Sequence, residues 1–225
     1  MNNTKTEILA LLKRNGGHSV KELAGATSLA PGTIRQHLTQ LQRDGLVGAE
    51  ERAEPNGRAH YLFRLSAKGH AAAFPGRSDR LVELLVREMS ALDGADLEGR
   101  TAQQKIDLIL QRFAYRLADE YTSLLQEWPL QERVVFVTEV MHTDGGFAEW
   151  ERTEQGYRIR DFNCLFHRLF DTESRVCEWH RSFLSRTLGA EVRVRPCSDG
   201  TAQCCQYEVM PPAGVGVTSP AGSLS

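Results

Sequence analysis

The chain has 225 residues, a quarter of them charged, and a formal net charge of −2 at pH 7, which suits one large domain or two modest ones, each with its own core. The start, MNNTKTEILALLKRN, lacks the apolar run and cleavage site of a secretory signal, and no stretch approaches bilayer-spanning length; a cytoplasmic chain with no membrane partner is expected. The total hides an asymmetry: residues 1–75 hold ten Lys and Arg against six Asp and Glu, and residues 76–225 hold seventeen against twenty-three, so the basic front expects an anionic partner.

In the front, Thr4 or Thr6 is placed to cap a helix running to about Arg14, with Ile8, Leu11 and Leu12 as its apolar stripe and Gly16-Gly17 as its end. VKELAGAT makes a second helix, capped by Ser19, with Leu23 and Ala24 inward. In LAPGTIRQHLTQLQRDGLV, Pro31 suits a first helical turn, and Ile34, Leu38 and Leu41 bury one face. Thr33, Arg35 and Gln36, with Thr39 and Gln40, are left on the outer side, and Asp44-Gly45 closes the helix. Leu46-Val47 opens a strand whose partner is HYLFRL (60–65), and Pro55-Asn56-Gly57 turns between them with Arg58 alongside.

Three short helices and a hairpin make a winged helix-turn-helix. Arg and Gln reach base edges, Thr reaches phosphate, and an arginine on the wing reaches backbone or minor groove. Thr33, Arg35, Gln36 and Arg58 are therefore the candidate contacts to a double-stranded DNA operator. Winged helices also serve as protein-interaction modules, and the same polar residues occur on ordinary solvated helices. His18, His37, His60 and His70 have no mutual spacing that suits a metal.

Ser66-Ala67-Lys68-Gly69 starts another helix, interrupted at Pro75-Gly76, and the pattern stays helical beyond. DRLVELLVREMSAL carries Leu81, Leu84, Leu85, Met89 and Leu92 in a broad stripe, residues 93–99 form an acidic loop, and a longer helix runs over about 102–127. A reader of palindromic half-sites needs a twofold partner, so residues 76–128 are expected to build a homodimer, the alternative being ordinary intrachain core. QERVVFVTEVMHTDGG fits a strand by its valines and a helix by its spacing. FAEWER and YRIRDF alternate cleanly and make a hairpin.

All five cysteines lie in the back, as Cys164-x12-Cys177-x19-Cys197-x6-Cys204-Cys205, with no CxxC knuckle. Cys164 follows the hairpin, and Cys177 sits in a helix on the face of Leu184 and Leu188. AEVRVRP brings Cys197 to a strand end, and CCQYEV returns antiparallel with Cys205, Tyr207 and Val209 on one face. Thiols gathered in one module of a reducing compartment point to metal or redox chemistry rather than scattered packing. Arg168, Arg175, Arg181, Arg193 and Arg195 stand near in sequence to offset thiolate charge, and His167 or His180 could replace one sulfur.

A winged helix, a helical middle, then GYRIRDFNC with a cysteine twelve residues on and a closing C-x-Y-x-V strand resembles SufR-type iron–sulfur transcriptional regulators. The resemblance runs to Val209 and implies a dimeric repressor of iron–sulfur assembly genes that senses cluster or redox status. It implies Cys164, Cys177 and Cys205 as ligands of a 4Fe-4S or 2Fe-2S cluster. The family's third cysteine falls near Glu191 here, and Cys197 is the candidate that replaces it. A structural zinc site is one alternative, and a thiol switch in which Cys204 and Cys205 exchange disulfides with Cys197 is another.

The expected fold is α+β: a winged helix-turn-helix at 1–75, a helical dimerisation region at 76–128, a cysteine-ligated iron–sulfur sensor domain at 129–210, and a disordered Pro/Gly/Ser-rich tail at 211–225. No G-x-S-x-G, G-x-x-x-x-G-K-[ST] or H-E-x-x-H occurs, so no enzyme is expected.

Overall fold

Ile8, Leu9 and Leu12 line the inner face of the first helix, α1 (Asn3–Asn15), which turns it slightly from the expected stripe and leaves Leu11 only packed against the core's edge. The helix begins ahead of Thr4 and Thr6, so neither caps it. The computed structural model describes residues 3–53, 59–75, 78–143, 146–163, 175–196 and 204–211. The chain divides into two compact units, one built on residues 1–76 and the other on 77–196 with the closing strand.

In the first unit, α2 (Val20–Thr27) opens on a reciprocal cap: the Ser19 hydroxyl accepts from the Glu22 backbone N–H, and the Glu22 carboxylate accepts from the Ser19 N–H at 2.7 Å. In α3 (Pro31–Arg43) proline occupies the first turn, and Ile34, Leu38 and Leu41 are buried. Gly45, at φ 72°, supplies the left-handed residue that ends the helix. Strands β1 (Val47–Ala53) and β2 (Ala59–Leu65) pair antiparallel from Val47 opposite Leu65 to Ala53 opposite Ala59. His18 and Phe63 exchange two backbone hydrogen bonds, at 3.0 and 2.8 Å, and so lace the α1–α2 connection to the hairpin.

After the hairpin, Ser66 caps α4 (Ala67–Ala73). Gly69 lies so close to the preceding turn that a Cβ there would stand 2.0 Å from the Leu46 carbonyl oxygen. That neighbour is backbone, so α4 would have to move away. Gly69→Ala is expected to destabilise the protein by about 1–3 kcal/mol, the usual cost of overpacking, read as a lower urea midpoint; an unchanged midpoint would mean that α4 is not held against Leu46.

The second unit starts with α5 (Ser78–Ser90) and a one-turn helix, α6 (Gly94–Leu97), where a loop was expected; Asp93 and Asp96 cap each other's backbone N–H reciprocally and nucleate the turn. The apolar stripe of α5 divides between core and solvent. Leu84 and Leu85 are half-buried and Glu88 is buried, but Met89 is 57% exposed. The reason is an ion pair: Glu88 turns inward to meet Arg116 of α7 (Ala102–Leu125), which rotates Met89 outward.

The ambiguous valine-rich segment is a helix, α8 (Leu130–Thr143), because Val134, Val137, Thr138 and Met141 reach the core at helical spacing. Strands β3 (Ala148–Thr153) and β4 (Gly156–Asp161) form the expected hairpin. Helix α9 (Arg175–Leu188) leads into β5 (Glu191–Pro196), and β6 (Cys205–Met210) closes the sheet in the antiparallel order β3-β4-β6-β5. One sheet face, with Tyr157, Ile159, Val192, Tyr207 and Val209, packs with α7, α8 and α9 into a single core. The other face carries Glu149, Glu151, Arg158, Arg160, Arg193 and Glu208, with Arg158 bonded to both Glu151 (2.9 Å) and Glu208 (3.1 Å).

The expected cysteine-ligated cluster domain is corrected by this core. Among the described residues, no group of three or more His, Cys, Asp or Glu side chains could hold a metal ion. Cys205 packs against the apolar core beside Tyr207, as a small hydrophobe does, and His180 spends its Nδ1 on the Tyr207 hydroxyl at 3.0 Å. Cys204 is disulfide-bonded. Cys164, Cys197 and the side chain of Cys177 lie outside the described residues, as does the tail beyond Pro211.

Candidate nucleic-acid interface

The burial of Ile34, Leu38 and Leu41 at 0 or 1% exposure decides what α3 offers outward. Arg35, Gln36, Thr39 and Gln40 are exposed on its opposite side, and Thr33 is half-buried near its start. Arg35 has no ion-pair partner among the described residues, so its guanidinium is available to a ligand. Gly32, at the first turn, has nothing within 4 Å of where a Cβ would stand, so the backbone there is open to close approach. Of the four expected contacts, Arg35 and Gln36 are adjacent and outward, Thr33 sits at the margin of the same surface, and Arg58 lies outside the described residues.

The hairpin adds positions that sequence inspection passed over. Tyr61 is 54% exposed, because it continues the face of Phe63 and Leu65 beyond the edge of the core. The period-2 alternation in HYLFRL was the available signal. On the other face of the ribbon, Arg52, His60 and Arg64 join Ser19, Lys21 and Glu22 around an open groove of about 770 Å³. Arg64 is already committed there: it donates to the Gly16 carbonyl at 2.9 Å and pairs with Glu50 at 3.1 Å. Lys21 and Arg52 are the cations of this groove suited to a phosphate, while Glu22 works against one.

Two groups at this seam depart from their ordinary titration. The Glu22 carboxyl is held below its usual range, first by the Ser19 backbone N–H and then by the Ser19 hydroxyl. His18 is pushed below the ordinary histidine value by burial, against a smaller opposing pull from Glu22. Asn15 donates its amide N–H to His18 Nε2 at 3.0 Å, so a proton on that nitrogen would meet a donor, and Nδ1 is buried without a hydrogen-bond partner.

A lowered histidine pKa means that the unfolded chain takes up the proton first. Stability is complete above the ordinary histidine value and declines as pH falls through it toward the lowered folded value. Unfolding free energy measured from about pH 7.5 to about pH 5 should therefore fall with acidification, and His18→Leu should flatten that slope. An identical slope in the variant would assign the acid sensitivity to other groups.

Residues 1–47 match the family described as winged helix-turn-helix DNA-binding. The match covers α1, α2 and α3 and ends as the wing begins. No curated protein sequence matches the chain. Among solved structures, a single-substitution mutant of ZitR from Lactococcus lactis is 17% identical, over 54% of this chain and 75% of that one, at a TM-score of 0.28. A double mutant of the same protein, in its apo form, is 18% identical, over 53% and 83%, at 0.29. Overlaps this low bear on neither the overall fold nor the function of the chain. An N-terminal winged helix-turn-helix fits a DNA operator as its partner, and among the described residues no helix is long and apolar enough to cross a membrane.

Proposed function

We propose that the chain is a transcriptional regulator that reads a duplex operator with the outer face of α3. The observation that carries this reading is the division of α3 itself, in a segment that matches a DNA-binding family: three apolar residues buried, and Arg35, Gln36, Thr39 and Gln40 exposed opposite them. Arg35 and Gln36 reach base edges, Thr33 reaches phosphate, and Arg58 reaches the backbone or minor groove from the wing. Lys21 and Arg52 add phosphate contacts at the flank. The operator is a twofold pseudo-palindrome read by two copies of the chain.

The test begins with selection of a bound sequence from random duplexes by the full chain. Arg35→Ala is expected to weaken that site by on the order of 1–3 kcal/mol and to relax one base position. Arg58→Ala should weaken all sequences alike and reduce the salt dependence. Retained affinity in a variant carrying both substitutions would mean that this surface meets something other than DNA.

The cysteines receive a second reading, as a thiol–disulfide control on the same activity. The disulfide at Cys204 supports it. Reduced and oxidised protein, compared at one salt concentration, should differ in operator affinity by at least about tenfold, or 1.4 kcal/mol, within the usual range of coupling between sites. Cys204→Ser should abolish the difference. Equal affinities of the two forms would leave the disulfide purely structural.

A further inference from the structure

Helix α5 presents an apolar line to solvent. Val82, Val86 and Met89 follow at i, i+4 and i+7 and are 59%, 56% and 57% exposed. Their outward orientation is imposed from behind, where Glu88 is held by Arg116 and Leu84 packs against the core. Three large apolar side chains aligned on one helix are a seam rather than scattered surface residues.

Beside that line run Glu83 and Arg87, one turn apart. At about 100° per residue they share the same flank of the stripe. Both are exposed, and neither has an ion-pair partner among the described residues, not even the other.

We infer that α5 pairs antiparallel with α5 of a second copy of this chain, across a twofold axis near Leu85 and Val86. In an antiparallel pair, like flanks of the two helices face each other. Glu83 then meets the partner's Arg87, and symmetry repeats the contact, so both charges are matched twice over with no other residue needed. The same register sets Val82 against the partner's Met89 and Val86 against its own copy, which covers the whole line. A parallel pair would instead bring the Glu83–Arg87 flank against the side that carries Leu85 and leave both charges unmatched. This self-complementarity selects a second copy over an unrelated protein, which would have no reason to mirror the charge order.

A 13-residue helix spans roughly 20 Å, a short seam for a protein interface. The association is therefore weak and sensitive to single charges. The inference deepens the operator proposal and rests on it only for what the dimer is used for; its formation needs no DNA.

The experiment is sedimentation equilibrium of the full chain without DNA, over a concentration series. Wild type should show a monomer–dimer equilibrium. Glu83→Arg and Arg87→Glu should each raise the dissociation constant at least tenfold, because each sets like charges across the axis. The variant carrying both exchanges should return to within about threefold of wild type, since the pairs are restored in reverse, and a mixture of the two single variants should associate better than either alone. Circular dichroism and thermal unfolding of each variant verify that it is folded. A wild-type chain that stays monomeric, or a dimer indifferent to both single reversals, overturns the inference. Duplex binding by a strictly monomeric chain would overturn the seam and spare the operator reading. A charge-sensitive dimer that binds no duplex would do the opposite.

Discussion

What α3 can offer a nucleic acid follows from where Ile34, Leu38 and Leu41 go. Their burial against α1 and α2 forms the centre of a small core with Ile8, Leu9, Leu12, Leu23 and Val47, and a helix with one face committed has only the other to present. Arg35 and Gln36 are outward because these three residues are inward. The backbone exchange between His18 and Phe63 then attaches the hairpin to the same unit. Such support from a packed scaffold gives polar contacts their geometric definition.

The second unit applies period-2 logic to a larger core. Each strand of the four-stranded sheet turns alternate residues to α7, α8 and α9 and the others to solvent. Two polar features sit inside this apolar layer. Tyr207 and His180 satisfy each other, and the Asp161 carboxylate accepts from the backbone N–H groups of Phe147 and Asn163, tying together the two ends of the hairpin. The Glu88–Arg116 pair works differently: by drawing a buried carboxylate toward α7 it fixes the rotation of α5 and exposes its valines. Removing one partner of such a pair is far costlier than replacing both, since the other charge is left desolvated.

The cysteines show what linear clustering leaves open. Five thiols in one stretch suggest a ligand set, but spacings of twelve, nineteen and six residues impose no local geometry of the kind a CxxC turn provides. Whether such residues converge depends on the elements that carry them. In the folded chain Cys205 joins the sheet's apolar face and Cys204 enters a disulfide. Two neighbours in sequence thus take different roles, as the alternation of side chains at the start of a strand favours.

Local rules were enough to read the front of this chain. Pro31, the Ser19–Glu22 cap, Gly45 and the 34–38–41 spacing are signals that act within one or two turns, and they place α3 without reference to anything distant. The period-2 hairpins were legible for the same reason. Other features waited on the tertiary structure. The segment around Val134–Val137 satisfied both periods, and only the core offered by its neighbouring helices selected the helix. Met89 shares helical spacing with the leucines of α5, and it lies at the surface because a charged residue one position earlier found its partner on another helix. Helical spacing establishes which side chains share a face; which face turns inward is decided by what the remote chain brings to it.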